Sequence, residues 1–82
     1  MWRIEMKDSR HGDWRPVTWD GGTLFYYTFK DQKATYFPLE AAIKTTVPFM
    51  KKHYAITRMD NLVARFVCKS TGEIIPYEAL GA

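Results

Sequence analysis

The sequence has a single cysteine, Cys68, and no long apolar run. A lone cysteine excludes an internal disulfide, so the chain suits a reducing compartment. No apolar stretch approaches the ~20 residues that a membrane-spanning helix needs. The opening residues alternate charged and apolar side chains, whereas a signal peptide has an apolar run behind a basic start. These features predict a cytoplasmic protein that does not contact a membrane.

Residues that carry chemistry are also scarce. His11, His53 and Cys68 do not show the spacing of metal ligands. The acidic residues are scattered, and no pair of them is placed for general acid and base catalysis. Gly21-Gly22 lacks the further glycines and the Lys-Ser/Thr pair of a phosphate-binding loop. We therefore expect no metal, no cofactor and no catalytic activity, and we interpret Cys68 as a small buried apolar residue.

The sequence does have enough apolar and aromatic residues to form a hydrophobic core. Of its 82 residues, 46% are hydrophobic and 16% are aromatic, which suits one small domain over residues 1–82. Twelve basic and nine acidic residues give a formal charge of +3. This mild excess permits contact with nucleic acid or with an acidic protein, and it requires neither.

Alternation of apolar and polar residues predicts several strands. Polar residues 8–13 indicate the first turn, and residues 34–37 form either a short extra strand or an extended lead-in. Pro16 and Pro76 lack an N–H group, which places their strands at edges of the sheet. The tail, residues 78–82, is expected to fray. The predicted strands cover residues 2–7, 14–19, 24–29, 62–69 and 73–77, and the first three are expected to form a meander.

One segment has the period of a helix. Pro38 suits the first helical turn. Pro48 would remove an internal hydrogen bond, so we expect either one helix over residues 38–53 that is kinked near Pro48, or two short helices. Phe49 falls off the apolar stripe and is expected to be partly exposed. The stripe consists of Leu39, Ile43, Val47, Met50 and Tyr54.

The expected fold class is therefore α+β, in the order ββ(β)αββ. A short antiparallel sheet of four to five strands carries the single helix on one face. The helix and the alternating strands define the core that we expect between them. The predicted core consists of Trp2, Ile4, Met6, Leu39, Ile43, Val47, Met50, Leu62, Ala64, Phe66 and Cys68.

The sheet face away from the helix is the predicted binding site, because one helix shields only one face. Parity along the strands turns most of the intervening cations toward that face. Either parity of residues 24–29 also exposes an aromatic ring there. Exposed rings and arginines are typical of interaction surfaces. The predicted binding residues are Arg3, Lys7, Arg15, Trp19, Tyr27, Arg65 and Lys69.

Two kinds of function fit such a face. The first is a protein-binding module or inhibitor, with homodimerisation through the same face as a variant. The second is a nucleic-acid-binding domain, although the net charge is modest and the aromatic-glycine pattern of an RNA-recognition strand is missing. A third interpretation has residues 14–19 folded back over this face, which would place Trp14 and Trp19 in the core.

The layout also resembles a known kind of protein. An opening strand at residues 2–6 (WRIEM), a helix at residues 39–43 (LEAAI) and a closing hairpin at residues 70–75 (STGEII) resemble the elements of small phage accessory proteins, anti-CRISPR proteins among them. The resemblance covers most of the chain, rests on size and element order, and transfers no functional residue. It implies a phage-encoded inhibitor that binds a host protein or nucleoprotein complex in the host cytoplasm.

Overall fold

Strands and one helix follow each other along the chain in an α+β order, as the sequence predicts. The computed structural model describes residues 1–20, 23–25, 34–58 and 61–80. The elements are β1 (Trp2–Asp8), β2 (His11–Pro16), β3 (Thr18–Asp20), β4 (Thr23–Phe25), β5 (Tyr36–Phe37), α1 (Leu39–Thr57), β6 (Leu62–Cys68), β7 (Ile74–Pro76) and a closing 3₁₀ turn (Tyr77–Leu80).

Five of the strands form one antiparallel sheet that carries α1 on one face. Its order is β2-β1-β6-β7, and β5 pairs with the opening residues of β1. The central pair is β1 and β6, in register from Trp2 opposite Cys68 to Asp8 opposite Leu62. Strands β3 and β4 form a separate two-stranded sheet. The predicted fold class is confirmed, and residues 34–37 do contribute an extra short strand.

The predicted strand over residues 14–19 is split at Val17. The Val17 N–H donates to the Ile4 carbonyl at 2.8 Å, and the Val17 carbonyl accepts from the Thr35 N–H at 3.1 Å. The Val17 side chain is fully buried. The chain therefore leaves the large sheet here, so the predicted meander of three strands is wrong. Residues 26–29 of the third predicted strand lie outside the described residues.

The first turn is shorter than the predicted residues 8–13. It lies between Asp8 and His11, and the Asp8 carboxylate accepts from the backbone N–H of Arg10 at 2.8 Å and from its guanidinium at 3.0 and 3.2 Å. Gly12 has a φ of 95° inside β2, a conformation that favours glycine. The pairing of β1 with β2 shifts register near this turn, between Met6 and Asp8.

The helix α1 is continuous through Pro48 and ends at Thr57, beyond the predicted end at residue 53. The two-helix alternative is therefore wrong. Pro48 is exposed, so water can solvate the carbonyl that it leaves without a partner. The helix stops where Arg58 adopts a left-handed φ of 57°, with its N–H bonded to the Tyr54 carbonyl at 2.8 Å.

The core lies between α1 and the β1–β6 pair. Six of the eleven predicted core residues are buried, five of them in one cluster, and Trp2, Leu39, Ile43 and Met50 pack against it in part, as does Phe49. Val47 is only half-buried. The buried cluster consists of Ile4, Met6, Val17, Ala42, Leu62, Ala64 and Phe66.

The expected fraying of the tail is wrong as far as Leu80. Tyr77 and Leu80, in the closing 3₁₀ turn, are partly buried against the core. The radius of gyration is 11.9 Å, close to the roughly 12 Å of a folded chain of this length. Within the described ranges, no helix combines the length and the apolar character needed to cross a bilayer.

Candidate functional site

Alternate residues of β1 and β6 build the face of the sheet opposite α1. Since Ile4, Met6 and Phe66 point into the core, their neighbours along each strand point the other way. Rings from β2 and β5 and the cation that follows β6 complete this surface. We call it the outer face, and its residues are Arg3, Glu5, Lys7, Trp14, Tyr36, Val63, Arg65, Val67 and Lys69.

A shielded carboxylate, that of Glu5, lies at the centre of the outer face. Its side chain is 10% exposed. Its Oε2 accepts from Arg3 Nε at 2.9 Å, and its Oε1 accepts from Arg65 Nε at 2.7 Å. Each oxygen therefore has a guanidinium partner, which offsets the cost of burying the charge. The hydrogen bond to Glu5 also raises the pKa of Arg3 above its ordinary value.

Aromatic rings contact Arg65 and two lysines of the outer face. Trp14 reaches across β1 from β2, so that the Arg65 guanidinium carbon lies 4.2 Å and the Lys7 Nζ 5.5 Å from its ring centroid. At the other end of the face, Lys69 Nζ lies 4.7 Å from the ring centroid of Tyr36. These are cation–π distances. Four basic side chains, two rings and one carboxylate thus form a connected array.

Four of the predicted binding residues come together in this array: Arg3, Lys7, Arg65 and Lys69. Arg15 does not, and its assignment to the outer face was wrong. It lies opposite Met6, on the helix side of the sheet, so Trp14 and not Arg15 is the residue of β2 that turns outward. One of the two rings on this face, Trp14, therefore has the parity along β2 opposite to that of Arg15.

Trp19 lies on β3, in the two-stranded sheet, and not in the large sheet where we predicted it. It is 39% exposed, and Trp14 is half-buried on the outer face. The interpretation that places both tryptophans in the core is therefore wrong. Tyr27 lies outside the described residues.

Three members of the array were not among the predicted binding residues: Trp14, Tyr36 and Glu5. Glu5 shares the parity of Arg3 and Lys7 along β1, so its place on this face was available in the sequence. The parity of Trp14, opposite to that of residues 15, 17 and 19, was available in the sequence. The pairing that brings Tyr36 beside Arg3 was not, because it joins β1 to a two-residue strand far along the chain.

Cys68 occupies a polar environment at the end of β6. It is buried, and its Sγ lies 3.4 Å from Ser70 Oγ. Hydrogen bonds from the side chain of Ser70, then from the side chain and backbone of Thr71, lower the pKa of the Cys68 thiol to about 6. Burial was predicted correctly, but the turn after β6 also favours a thiolate. Among the residues that the structure describes, no group of three His, Cys, Asp or Glu side chains could hold a metal ion.

No protein-family model, no curated protein and no solved structure matches this chain. The function proposed below is therefore inferred from the residues of the outer face and from the sheet that carries them.

Proposed function

We propose that this chain is a non-catalytic binding module that recognises an acidic protein surface through its outer face. The observation that supports this is the array itself, in which two arginines bind one shielded carboxylate and two rings contact Arg65 and two lysines. Arginine and aromatic residues are the side chains that most often carry binding energy at interfaces. An array of one dominant charge also favours partners of the opposite charge.

The array is organised before any partner arrives. Arg3 and Arg65 expose 31% and 25% of their side chains, and both donate Nε to Glu5. A guanidinium has five N–H donors, so the terminal nitrogens remain chemically suited to a partner's carboxylate. Because Glu5 and Trp14 already hold the arginines, less side-chain entropy is lost when a partner binds.

The same contacts favour a protein partner over nucleic acid. Trp14 and Tyr36 each carry a cation over the ring, and stacking on a base would compete with that contact. Direct nucleic-acid binding remains the alternative function, and salt dependence separates the two.

The partner that we propose is a host protein or a protein component of a host nucleoprotein complex, with the chain acting as a stoichiometric inhibitor encoded by a phage. This narrower identity follows the resemblance of the element order to phage inhibitors. A second copy of the chain, bound through the same face, is an outcome that the experiment below distinguishes.

The test compares two charge-reversal variants in a pull-down from bacterial lysate. Lys7→Glu with Lys69→Glu changes the outer face, and Lys51→Glu with Lys52→Glu changes exposed positions on α1. Each pair lowers the formal charge of +3 by four, to −1. We expect the wild type and the helix variant to retain one specific partner, and the outer-face variant to lose it by about tenfold or more. Failure to return a specific partner, or equal loss in both variants, contradicts the proposal.

Two solution measurements complete the test. If the alternative function holds, affinity for a single-stranded oligonucleotide falls steeply as salt rises, in proportion to the phosphates contacted. If no binding is detected at low salt, that alternative is excluded. Light scattering after size-exclusion chromatography shows whether the captured partner is a second copy of the chain.

A further inference from the structure

The strand β7 places two apolar residues on the same side of the sheet as the outer face. Ile74 lies opposite Val67 and Pro76 lies opposite Arg65, and residues directly opposite each other in a ladder point to the same side. Both residues of β7 are exposed, and Ile74 is 50% exposed. The basic side chain of Arg65 is therefore bordered by apolar surface that does not belong to the array of cations and rings.

A cavity of about 640 Å³ lies against these residues. On the side of the outer face, its walls are Trp14, Val63, Arg65, Ile74 and Pro76. The closing 3₁₀ turn packs against β6 and β7 and borders the cavity on the other side. Its volume falls in the range of about 300–1,000 Å³ that is typical of ligand sites. The cavity is therefore large enough to receive a side chain of a partner.

Arg65 determines which chemical group suits this cavity. One face of its planar guanidinium lies against Trp14, 4.2 Å from the ring centroid, and its Nε donates to Glu5 at 2.7 Å. The Arg65 side chain is 25% exposed and lines the cavity, so a ligand reaches the guanidinium from the face away from Trp14. A cation approached in this way attracts the π-face of an aromatic ring. Arg65 thus favours an aromatic occupant over an aliphatic one of similar size.

We propose that an aromatic side chain of the partner protein enters this cavity and stacks on Arg65, so that the guanidinium lies between that ring and Trp14. The apolar walls at Val63, Ile74 and Pro76 contact the rest of the ring. Aromatic residues that fill pockets are typical anchors of protein interfaces. The inference rests on the proposed function, because it adds an anchor to the acidic surface that the outer face recognises.

The walls of the cavity favour an aromatic side chain over a nucleobase. A nucleobase carries ring nitrogens and exocyclic groups that lose their hydrogen bonds to water when they enter an apolar site. The side chains of Val63, Ile74 and Pro76 offer no hydrogen-bonding group in return. A phenyl ring has no such groups and an indole ring has one, so a side chain enters at a lower desolvation cost.

Two blocked amino acid amides test the chemistry of the cavity. N-acetyl-phenylalaninamide and N-acetyl-cyclohexylalaninamide carry rings of similar size, and only the first has a π-face. Each is titrated into isotope-labelled protein while NMR follows the amide shifts of Val63, Arg65 and Ile74. We expect the phenylalanine compound to bind about threefold or more tighter, because only its ring gains the attraction to Arg65. Equal affinities, or shifts that do not include these residues, overturn the proposal.

Adenosine is the third probe in the same titration. We expect it to bind more weakly than the phenylalanine compound, because its polar edges lose hydrogen bonds in the cavity. If adenosine binds as tightly, the choice of a protein side chain over a nucleobase is wrong.

Two matched isoleucine variants connect the cavity to the partner. Ile74→Ser changes an exposed wall of the cavity, and Ile56→Ser changes a residue of α1 that is 70% exposed. Neither isoleucine is buried, so both variants should fold. We expect Ile74→Ser to weaken capture of the lysate partner about fivefold or more, and Ile56→Ser to leave it within about twofold of the wild type. Equal capture by the two variants overturns the proposal.

The charge-reversal variant separates this inference from the proposed function. If Lys7→Glu with Lys69→Glu abolishes capture and Ile74→Ser does not change it, the proposed function stands and the aromatic anchor is wrong. If Ile74→Ser abolishes capture and the charge reversal does not change it, the cavity binds the partner and the proposed role of the outer-face lysines is wrong.

Discussion

Arg65 of β6 and Trp14 of β2 meet across the intervening strand β1, with the guanidinium carbon 4.2 Å from the indole ring centroid. The contact links β2 to β6 across β1 on the outer face of the sheet. It also fixes Arg65 between a ring and the carboxylate of Glu5. The cation that we place at the centre of recognition is thus part of the folded framework.

Truncating the ring should therefore weaken the fold as well as binding. We expect Trp14→Ala to lower the free energy of unfolding by about 2–3 kcal/mol, from lost apolar contact and lost cation–π attraction. Trp14→Phe should retain more than half of that stability, because a ring remains over Arg65. Urea unfolding measures both variants. An unfolding midpoint of Trp14→Ala equal to that of the wild type would show that the ring does not join the strands.

The carboxylate of Glu5 should matter more to stability than an exposed one. Glu5→Gln leaves Arg3 and Arg65 close together without a compensating charge, so we expect a loss of about 2 kcal/mol or more. Glu40→Gln, at an exposed position in the first turn of α1, is the matched control and should stay within about 0.5 kcal/mol of the wild type. Chemical unfolding checks both, and equal effects would contradict a structural role for Glu5.

Asp8 should make the fold sensitive to acid. Hydrogen bonds from the Arg10 side chain and backbone hold the pKa of Asp8 well below its ordinary value of 3.8. Because the folded-state pKa is lowered, this stabilisation is present above pH 3.8 and is lost as the pH falls below it. Asp8→Asn should therefore flatten the decline of stability between about pH 4 and pH 2.

Thermal unfolding across that range measures the effect. Asp13→Asn, at an exposed position of β2, is the control. If Asp8→Asn and Asp13→Asn follow the same pH profile, the turn at Asp8 does not act in this way.

Cys68 should make the stability of the fold depend on pH at neutral and mildly alkaline values. Its pKa is lowered to about 6 in the folded chain, against an ordinary value of 9.0. Between these two values the unfolded chain holds a proton that the folded chain has released, so stability rises with pH and is lost as the pH falls through 6. The ultraviolet absorbance of the thiolate should titrate near 6 in the wild type.

Ser70→Ala tests the cause of this shift, because the Ser70 hydroxyl contributes most to it. We expect the thiolate titration to move upward toward 9.0 in Ser70→Ala, and the rise of stability with pH to weaken in Cys68→Ala. A thiol that titrates near 9.0 in the wild type would contradict the account of this turn.

The long elements of the fold could be predicted because their patterns are local. β1 alternates apolar and charged residues from Trp2 to Lys7, β6 is apolar except at Arg65, and α1 repeats its apolar stripe across Pro48. Since β1 and β6 pair in register, parity alone placed Arg3, Lys7 and Arg65 correctly on the outer face.

Parity failed where the chain changes sheets. Trp19 could not be assigned from the parity of β2, because the chain leaves the large sheet at Val17 and residue 19 belongs to another pair of strands. The side of the sheet on which Arg15 lies follows from the side that Val17 faces, because the two residues share a parity. Val17 is buried on the helix side, so Arg15 lies on that side too. The docking of Tyr77 and Leu80 likewise depends on surfaces that exist only once the sheet and helix have packed.

We propose that the outer face, and not the overall charge, determines binding of the partner. Calorimetric titration of the captured partner into the two charge-reversal variants tests it most directly, since both carry the same net charge. We predict that Lys51→Glu with Lys52→Glu binds within about threefold of the wild type and that Lys7→Glu with Lys69→Glu binds about tenfold or more weakly. Equal affinities for the two variants would contradict the claim.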